Sequence, residues 1–358
     1  MKHGKTLTQL AQELERIQSQ KRDFSVPVSH LEMNENGNIA FTHSKDKYSA
    51  NIEQFSLNSW SGNQLAQYSE IPKAYFDKLE KENKPLLAKN VNHAFSKNPK
   101  DTRLIRTIDG HVRGFLSSKY RMLDGHDLLE TILPTLMDSG FEVKSSEITE
   151  RKLYLKTSTP KIEAEIKQGD VVQYGVMIQT SDVGASSLKI EPYLTRLVCL
   201  NGMIMDTSFK KAHPGGSRME LEVQELLTSE TKRLNDQAFF ATIRDYLNAT
   251  MKPEIFEREV NKMREASNAP IKNFDLDQVV ELTMQAVNVK GESIKKGILH
   301  ALASGNEGAG LTKWGMINSF TRASYTVDEL DYDTATELER AGGAILNMNP
   351  TQWANVAH

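Results

Sequence analysis

The sequence holds a single cysteine, Cys199, in 358 residues. One thiol excludes an intrachain disulfide and fits a reducing compartment. Cys199 stands in the apolar run Leu197, Val198 and Leu200, so a buried, inert thiol is expected. Histidine is also sparse, at 9 residues, with neither the ligand spacing nor the cysteine partner of a zinc site; no metal and no cofactor is expected. Long apolar runs are missing as well. No stretch approaches the roughly 18 to 20 apolar residues of a membrane span, so no membrane partner is expected. The opening residues Met1 to Lys5 lead into a polar amphipathic pattern without the apolar core of a secretion signal, and a soluble, cytoplasmic protein is the expectation. Nor is there an excess of positive charge: 44 Lys and Arg against 47 Asp and Glu leave a net −3. A nucleic-acid partner would have to be held by a local basic face.

Catalytic signatures are missing too. Gly305 and Gly310 stand at the spacing of a phosphate-cradling loop, but Leu311 occupies the place of the essential lysine, and the pattern before the loop is helical where a strand is required. A helix connection is expected there, without ATP chemistry. His111 near Asp109 and His126 beside Asp127 are acid-histidine neighbours that any polar turn supplies, so no catalytic residue is assigned.

What is present is a pattern of elements. The chain exceeds one usual core, and three units are expected. Residues 1–100 combine a helix, a small hairpin and a helical pair; residues 101–216 form a β-rich centre; residues 217–358 are helical. Thr6 and Gln9 have capping-box spacing before Leu7, Leu10, Leu14 and Ile17, which recur at helical intervals. Short β-like runs at 24–28 and 38–42 flank the turn-rich Asn34 to Gly37 and suggest a hairpin. Residues 62–95 are helical, restarted at Ile71-Pro72. Their outline resembles a DNA-reading helix-turn-helix, but the second helix mixes Lys73 and Lys78 with Asp77 and Glu80, which favours a packed helical hairpin. In the centre, Asp109-Gly110 between two β-like runs predicts a tight hairpin. Asp124 then caps a helix that ends at Gly140, and strand-like runs follow to Met205. The fold class is α+β, with an antiparallel β-sheet and packed helix in the centre, a helical N-terminal hairpin and a helical C-terminal region.

One cluster points to binding. Arg103, Arg106 and Arg113 lie on the central hairpin, followed by Lys119, Tyr120 and Arg121, and later strands add Arg151, Lys152, Tyr154 and Lys156. Lys210, Lys211, His213 and Arg218 bracket a Gly-rich turn. Lys and Arg neutralise phosphates while Tyr offers a stacking surface to unpaired bases, the minimal equipment for holding a single strand. Strand alternation prevents all the arginines from sharing one regular sheet face. The bland alternative is a set of solvated charges paired with Asp101, Asp109, Glu147 and Glu150.

Asn63-Gln64-Leu65-Ala66 through Tyr75, Val112 through Arg121, Tyr193 through Met203, and Trp314 through Thr321 resemble a phage- and plasmid-encoded family of unknown function, the domain of unknown function 932 type. The resemblance runs from about Leu57 onward. It implies mobile-element replication or recombination and brings no established active site; more distantly, the order of elements is similar to a single-strand annealing recombinase core. The expected function is ATP-independent binding or annealing of single-stranded DNA by a homo-oligomer. The alternatives are a non-enzymatic factor that contacts a host defence protein through its C-terminal helices, and a metal-dependent nuclease built on acids such as Asp170 and Asp182.

Overall fold

The computed structural model describes residues 2, 4–43, 51–120, 123–198, 200–205, 209–211, 229–250, 252–305 and 309–358. Thr6 caps α1 (Leu7–Gln20) through the expected reciprocal bonds with Gln9, and Leu10 and Leu14 are buried from its apolar stripe.

Six strands form the first sheet: β1 (Arg22–Pro27), β2 (Leu31–Met33), β3 (Ile39–His43), β4 (Asn51–Leu57), β5 (Thr102–Ile108) and β6 (His111–Ser117). Their order is β1-β5-β6-β4-β3-β2, antiparallel except for the β4–β6 pair. The expected hairpin needs correction. The turn at Asn34 to Gly37 joins β2 to β3, whereas β1 pairs with β5, Phe24 opposite Ile105. Pro27 has no N–H to donate, which suits the edge that β1 occupies. The Asp109-Gly110 hairpin forms as expected, with positive φ at both residues (50° and 77°). Because β5 and β6 pair with β1 and β4, this sheet runs across residue 100.

Over the first sheet pack α2 (Ser59–Tyr68), α3 (Lys73–Glu82) and α4 (Lys84–Lys97). Asn83 ends α3 and its side chain caps α4, so three helices stand where the apolar pattern suggested two. Leu65, Phe76, Leu87 and Phe95 share a core with Phe24, Ile105 and Phe115.

The second sheet follows α5 (Gly125–Asp138) and contains β7 (Glu142–Ile148), β8 (Leu153–Lys167), β9 (Asp170–Thr180), β10 (Leu188–Arg196) and β11 (Asn201–Ile204), in the order β11-β10-β9-β8-β7, with β12 (Phe209–Lys211) beside β10. Its pairs are all antiparallel. β8 runs unbroken through Pro160, with its register against β9 shifting between Thr159 and Glu163. Leu197, Val198 and Leu200, the apolar run around Cys199, sit exposed at the β10–β11 turn; Cys199 itself, expected to be a buried thiol, lies outside the described residues.

Seven helices complete the described chain: α6 (Ser229–Thr250), α7 (Pro253–Ser267), α8 (Leu276–Ala286), α9 (Glu292–Ser304), α10 (Lys313–Thr326), α11 (Tyr332–Leu346) and α12 (Pro350–Ala357). α9 precedes the loop that begins at Gly305, as expected for a helix connection; residues 306–308 lie outside the described set. Ile243, Phe256, Met316 and Phe320 share the large core with Tyr174 and Ile178 of β9 and with Leu129 and Ile132 of α5. α11 covers Tyr154, Lys156, Glu191 and Tyr193 on β8 and β10 with its own Tyr332, Asp333, Glu339 and Arg340. The protein is thus α+β, with antiparallel sheets and a helical C-terminal region. No helix among the described residues is long and apolar enough to cross a membrane.

A candidate anion-binding cleft between the two sheets

The sheets meet around a buried ionic cluster. Arg106, fully buried on β5, donates to both oxygens of Asp23 on β1 (2.8 and 2.9 Å) and to the carbonyl of Asp182 (2.7 Å), and lies 2.7 Å from the Asp124 carboxylate. Lys21, just after α1, pairs with Asp124 as well. Asp124 was expected to cap α5, and it holds the N-cap position, but its side chain makes no capping bond. Asp182 supplies that bond from across the interface, accepting from the Gly125 N–H at 2.8 Å. Burial opposes the Asp124 charge, yet Arg106 and Lys21 outweigh it and hold this carboxyl below its usual range. Asp182 goes the other way: burial, then the Asp124 charge, push its carboxyl up against the pull of Arg113 and Arg106.

Arg113 on β6 is the unusual member. Its side chain is 9% exposed and its nearest carboxylate, Asp182, stands at 3.5 Å, while its Nε and Nη2 find no acceptor among the described residues. Leaving a buried donor unmet costs roughly 1–3 kcal/mol, and more for a charged group. An acceptor supplied from outside the chain would relieve that cost.

Arg113 lines a cleft with two lobes. The first, of about 290 Å³, is walled by Glu13 and Arg16 of α1, by Asp109, His111 and Arg113 of the β5–β6 hairpin, by the 148–153 turn between β7 and β8, and by Asp182. The second, of about 410 Å³, shares Thr149, Glu150 and Arg151 and adds Ser59, Trp60 and Asn63 of α2, Lys73, Asp331 and Asp333. Its cations are held loosely. Arg16 pairs with Glu13 (2.9 Å) and Asp109 (2.6 Å), and Arg151 with Asp333 (2.5 Å), all through partly exposed side chains except Asp333. Pairs of this kind contribute about 0–1 kcal/mol each, so a phosphate can exchange with the carboxylates. Opening the Arg106 cluster would instead cost about 3–5 kcal/mol.

Of the basic and aromatic cluster expected to bind nucleic acid, the structure brings Arg113, Arg151 and Lys152 to this cleft. Lys152 lies 3.9 Å from Asp333. Arg106 is withdrawn into the ionic cluster. Tyr154 is buried under α11, its hydroxyl donating to Asp333, and offers no stacking surface. Arg103 pairs with Asp101 (2.9 Å) and lies over the Tyr68 ring at 4.2 Å, away from the cleft. Tyr120 donates to the Ser181 carbonyl (2.9 Å), and burial pushes its phenol up. Lys119 is exposed but lines neither lobe. Lys210 and Lys211 pair through their backbones with Lys189 and Leu188 of β10. Arg121, His213 and Arg218 lie outside the described residues.

Arg16, Trp60 and Asp333 were not placed at a binding site by sequence reasoning, and Asp182, considered there for metal chemistry, lies on the cleft wall beside Arg113. Arg16 and Trp60 belong to helices read for their apolar faces, and only the packing of the two sheets brings them to one cleft. Asp170, considered for metal chemistry, is engaged by Arg196 (2.5 and 3.0 Å) and by the Trp314 indole N–H (2.9 Å). One group of possible metal ligands occurs among the described residues, His126, Asp127 and Glu130 on the first turns of α5, with ligand atoms within 4.8 Å of one another. Both acids are exposed, and the group faces none of the cleft.

Residues 112–328, more than half of the chain, match the family described as "Domain of unknown function (DUF932)", and the chain belongs to that family. The matched segment includes the Val112 to Arg121, Tyr193 to Met203 and Trp314 to Thr321 motifs; residues 63–75 lie before it. No curated protein and no solved structure matches the chain.

Proposed function

We propose that this member of the DUF932 family binds single-stranded DNA without ATP, holding the phosphate backbone in the cleft between its two sheets. The observation that carries the reading is Arg113, a buried guanidinium on the cleft wall whose Nε and Nη2 lack an acceptor among the described residues. A phosphate oxygen is the acceptor that such a fork accommodates best. Arg16, Arg151 and Lys152 line the same lobe, each in an ion pair of which at least one member is partly exposed. A backbone phosphate competes with those carboxylates, so binding through this cleft is salt-sensitive.

The test is fluorescence anisotropy of a labelled oligonucleotide at low and at physiological salt. Affinity falls as salt rises, and Arg113→Gln weakens binding about 10- to 100-fold, the loss of a charge-assisted hydrogen bond. Failure to retain single strands at low salt, a flat salt response, or wild-type affinity in a folded Arg113→Gln protein would each overturn the proposal.

A second reading, contact with a host protein, is favoured by the β10–β11 turn, where Leu197, Val198 and Leu200 are 39%, 57% and 52% exposed. A defined protein that co-purifies with the wild type and is lost on replacing the three by Ser would support it. A clean, partnerless preparation would count against it.

A further inference from the structure

We propose that the second lobe of the cleft receives one unpaired nucleobase, stacked on Trp60, while Arg151 follows the adjoining phosphate. This rests on the reading that nucleic acid occupies the cleft, and it adds how a single strand is told from a duplex.

The chain has three tryptophans. Trp314 and Trp353 are 2% and 5% exposed within the C-terminal helices, so neither can meet a ligand. Trp60 is partly exposed and lines the lobe. Its ring is held in place: the indole N–H donates to the Val183 carbonyl at 2.9 Å, and the neighbouring Gln64 amide donates to the same carbonyl at 2.8 Å. The Arg151 guanidinium stands over the ring, 6.0 Å from its centre. A flat aromatic surface with a fixed orientation and a cation above it is the arrangement on which bases stack whatever their identity.

The volume of the lobe, about 410 Å³, exceeds the roughly 300 Å³ at which small-molecule sites begin, so a base and part of its sugar fit. Ser59 and Asn63 line the same space and offer donors and acceptors to a base edge. A base inside a duplex is covered on both faces and paired along its edge, and entering the lobe would require breaking those contacts, at a cost of a few kcal/mol. Single strands enter without that cost.

The experiment uses the full chain and reads intrinsic tryptophan fluorescence together with anisotropy of a labelled oligonucleotide. A single strand quenches the Trp60 emission and an equal-length duplex does not. Trp60→Phe binds within a few-fold of wild type, and Trp60→Ala loses about 5- to 150-fold, the range that one stacked base supplies. An oligonucleotide with abasic sites, tested on the wild-type protein, loses affinity to a similar degree, which keeps the test independent of whether Trp60→Ala folds. Salt-dependent, Arg113-dependent binding with no quenching and no preference for intact bases would overturn this inference while leaving the proposed function standing. Absence of any DNA binding would overturn the proposed function itself, and this inference with it.

Discussion

Arg113 in the cleft and Lys156 beneath α11 are both buried cations on strands, and they differ in how their charge is met. Lys156 is fully buried, with its Nζ 2.7 Å from the equally buried Glu339 carboxylate and 4.5 Å from the centre of the Tyr332 ring. Its contact with Glu339 is close enough for an ion pair, although its angles miss hydrogen-bond geometry. Burial alone would pull the Lys156 amine down; Glu339 and Tyr332 more than reverse that and keep it charged. Arg113 has one carboxylate at 3.5 Å and two nitrogens without protein acceptors. A charge closed off by its own partner fixes two elements together, whereas an incompletely met charge leaves donor capacity unused.

The largest expected effect breaks the closed pair. Lys156→Met leaves Glu339 buried without its cation, and is expected to cost about 3–5 kcal/mol in denaturant unfolding. Adding Glu339→Leu should restore most of that loss, since replacing both members of a buried pair by apolar groups is often neutral. A double variant as unstable as the single one would show that the pair is not what α11 rests on.

Lys313 sharpens the comparison as a third buried cation, met by carbonyls in place of a carboxylate. It donates to the main chain at Leu346 (3.0 Å) and Met348 (2.7 Å), and burial pulls its amine down to about 8, against a weaker opposing pull from Glu265. The folded chain therefore carries the full penalty of this charge below pH 8. Between pH 8 and the ordinary lysine value of 10.5 the unfolded chain holds more protons, so stability rises with pH. Relative to Lys313→Met, the wild type should gain up to about 3 kcal/mol across that window. Buried phenols such as Tyr154 act in the opposite direction above pH 10, which is why the difference between the two proteins is the quantity to measure. A difference that stays flat with pH would place the Lys313 amine in a watery setting.

The smallest effect concerns the residue that touches both regions. Asp333 accepts from the Tyr154 hydroxyl beneath α11 and pairs with Arg151 and Lys152 in the cleft. Asp333→Asn keeps an acceptor for Tyr154 and frees the two cations. A pair with a partly exposed arginine is worth about 1 kcal/mol or less, so oligonucleotide affinity should rise no more than about fivefold. Lower affinity in the variant would mean that Asp333 positions Arg151 for the ligand instead of competing with it.

Much of the fold was legible because its signals are local. Thr6 and Gln9 specified the start of α1, and Asp109-Gly110 specified a hairpin, each through bonds or φ values that depend on near neighbours. Pairing between distant segments was not legible. Nothing in residues 22–27 says that their partner lies across the helices at 102–107, and the hairpin assignment failed there. The site divided along the same line. Arg113, Arg151 and Lys152 could be named from a cluster of basic residues, but burial decided that Arg106 and Tyr154 serve the interior, and burial follows from how the sheets pack. Asp124 shows the same limit on a small scale: its position as a cap was readable, while Lys21 and Arg106, which take up its carboxylate, lie far from it in sequence.

The placement of β6 has a practical side for anyone trimming the protein. The family segment begins at Val112, inside that strand, and β6 lies in the interior of its sheet between β5 and β4. A fragment cut to residues 112–328 would strip both neighbours from one strand, and at the other end would remove α11 from above Lys156. Bare strand edges recruit other chains, so such a fragment would tend to aggregate. The stretch recognisable as the family and the stretch able to fold are different lengths of this polypeptide.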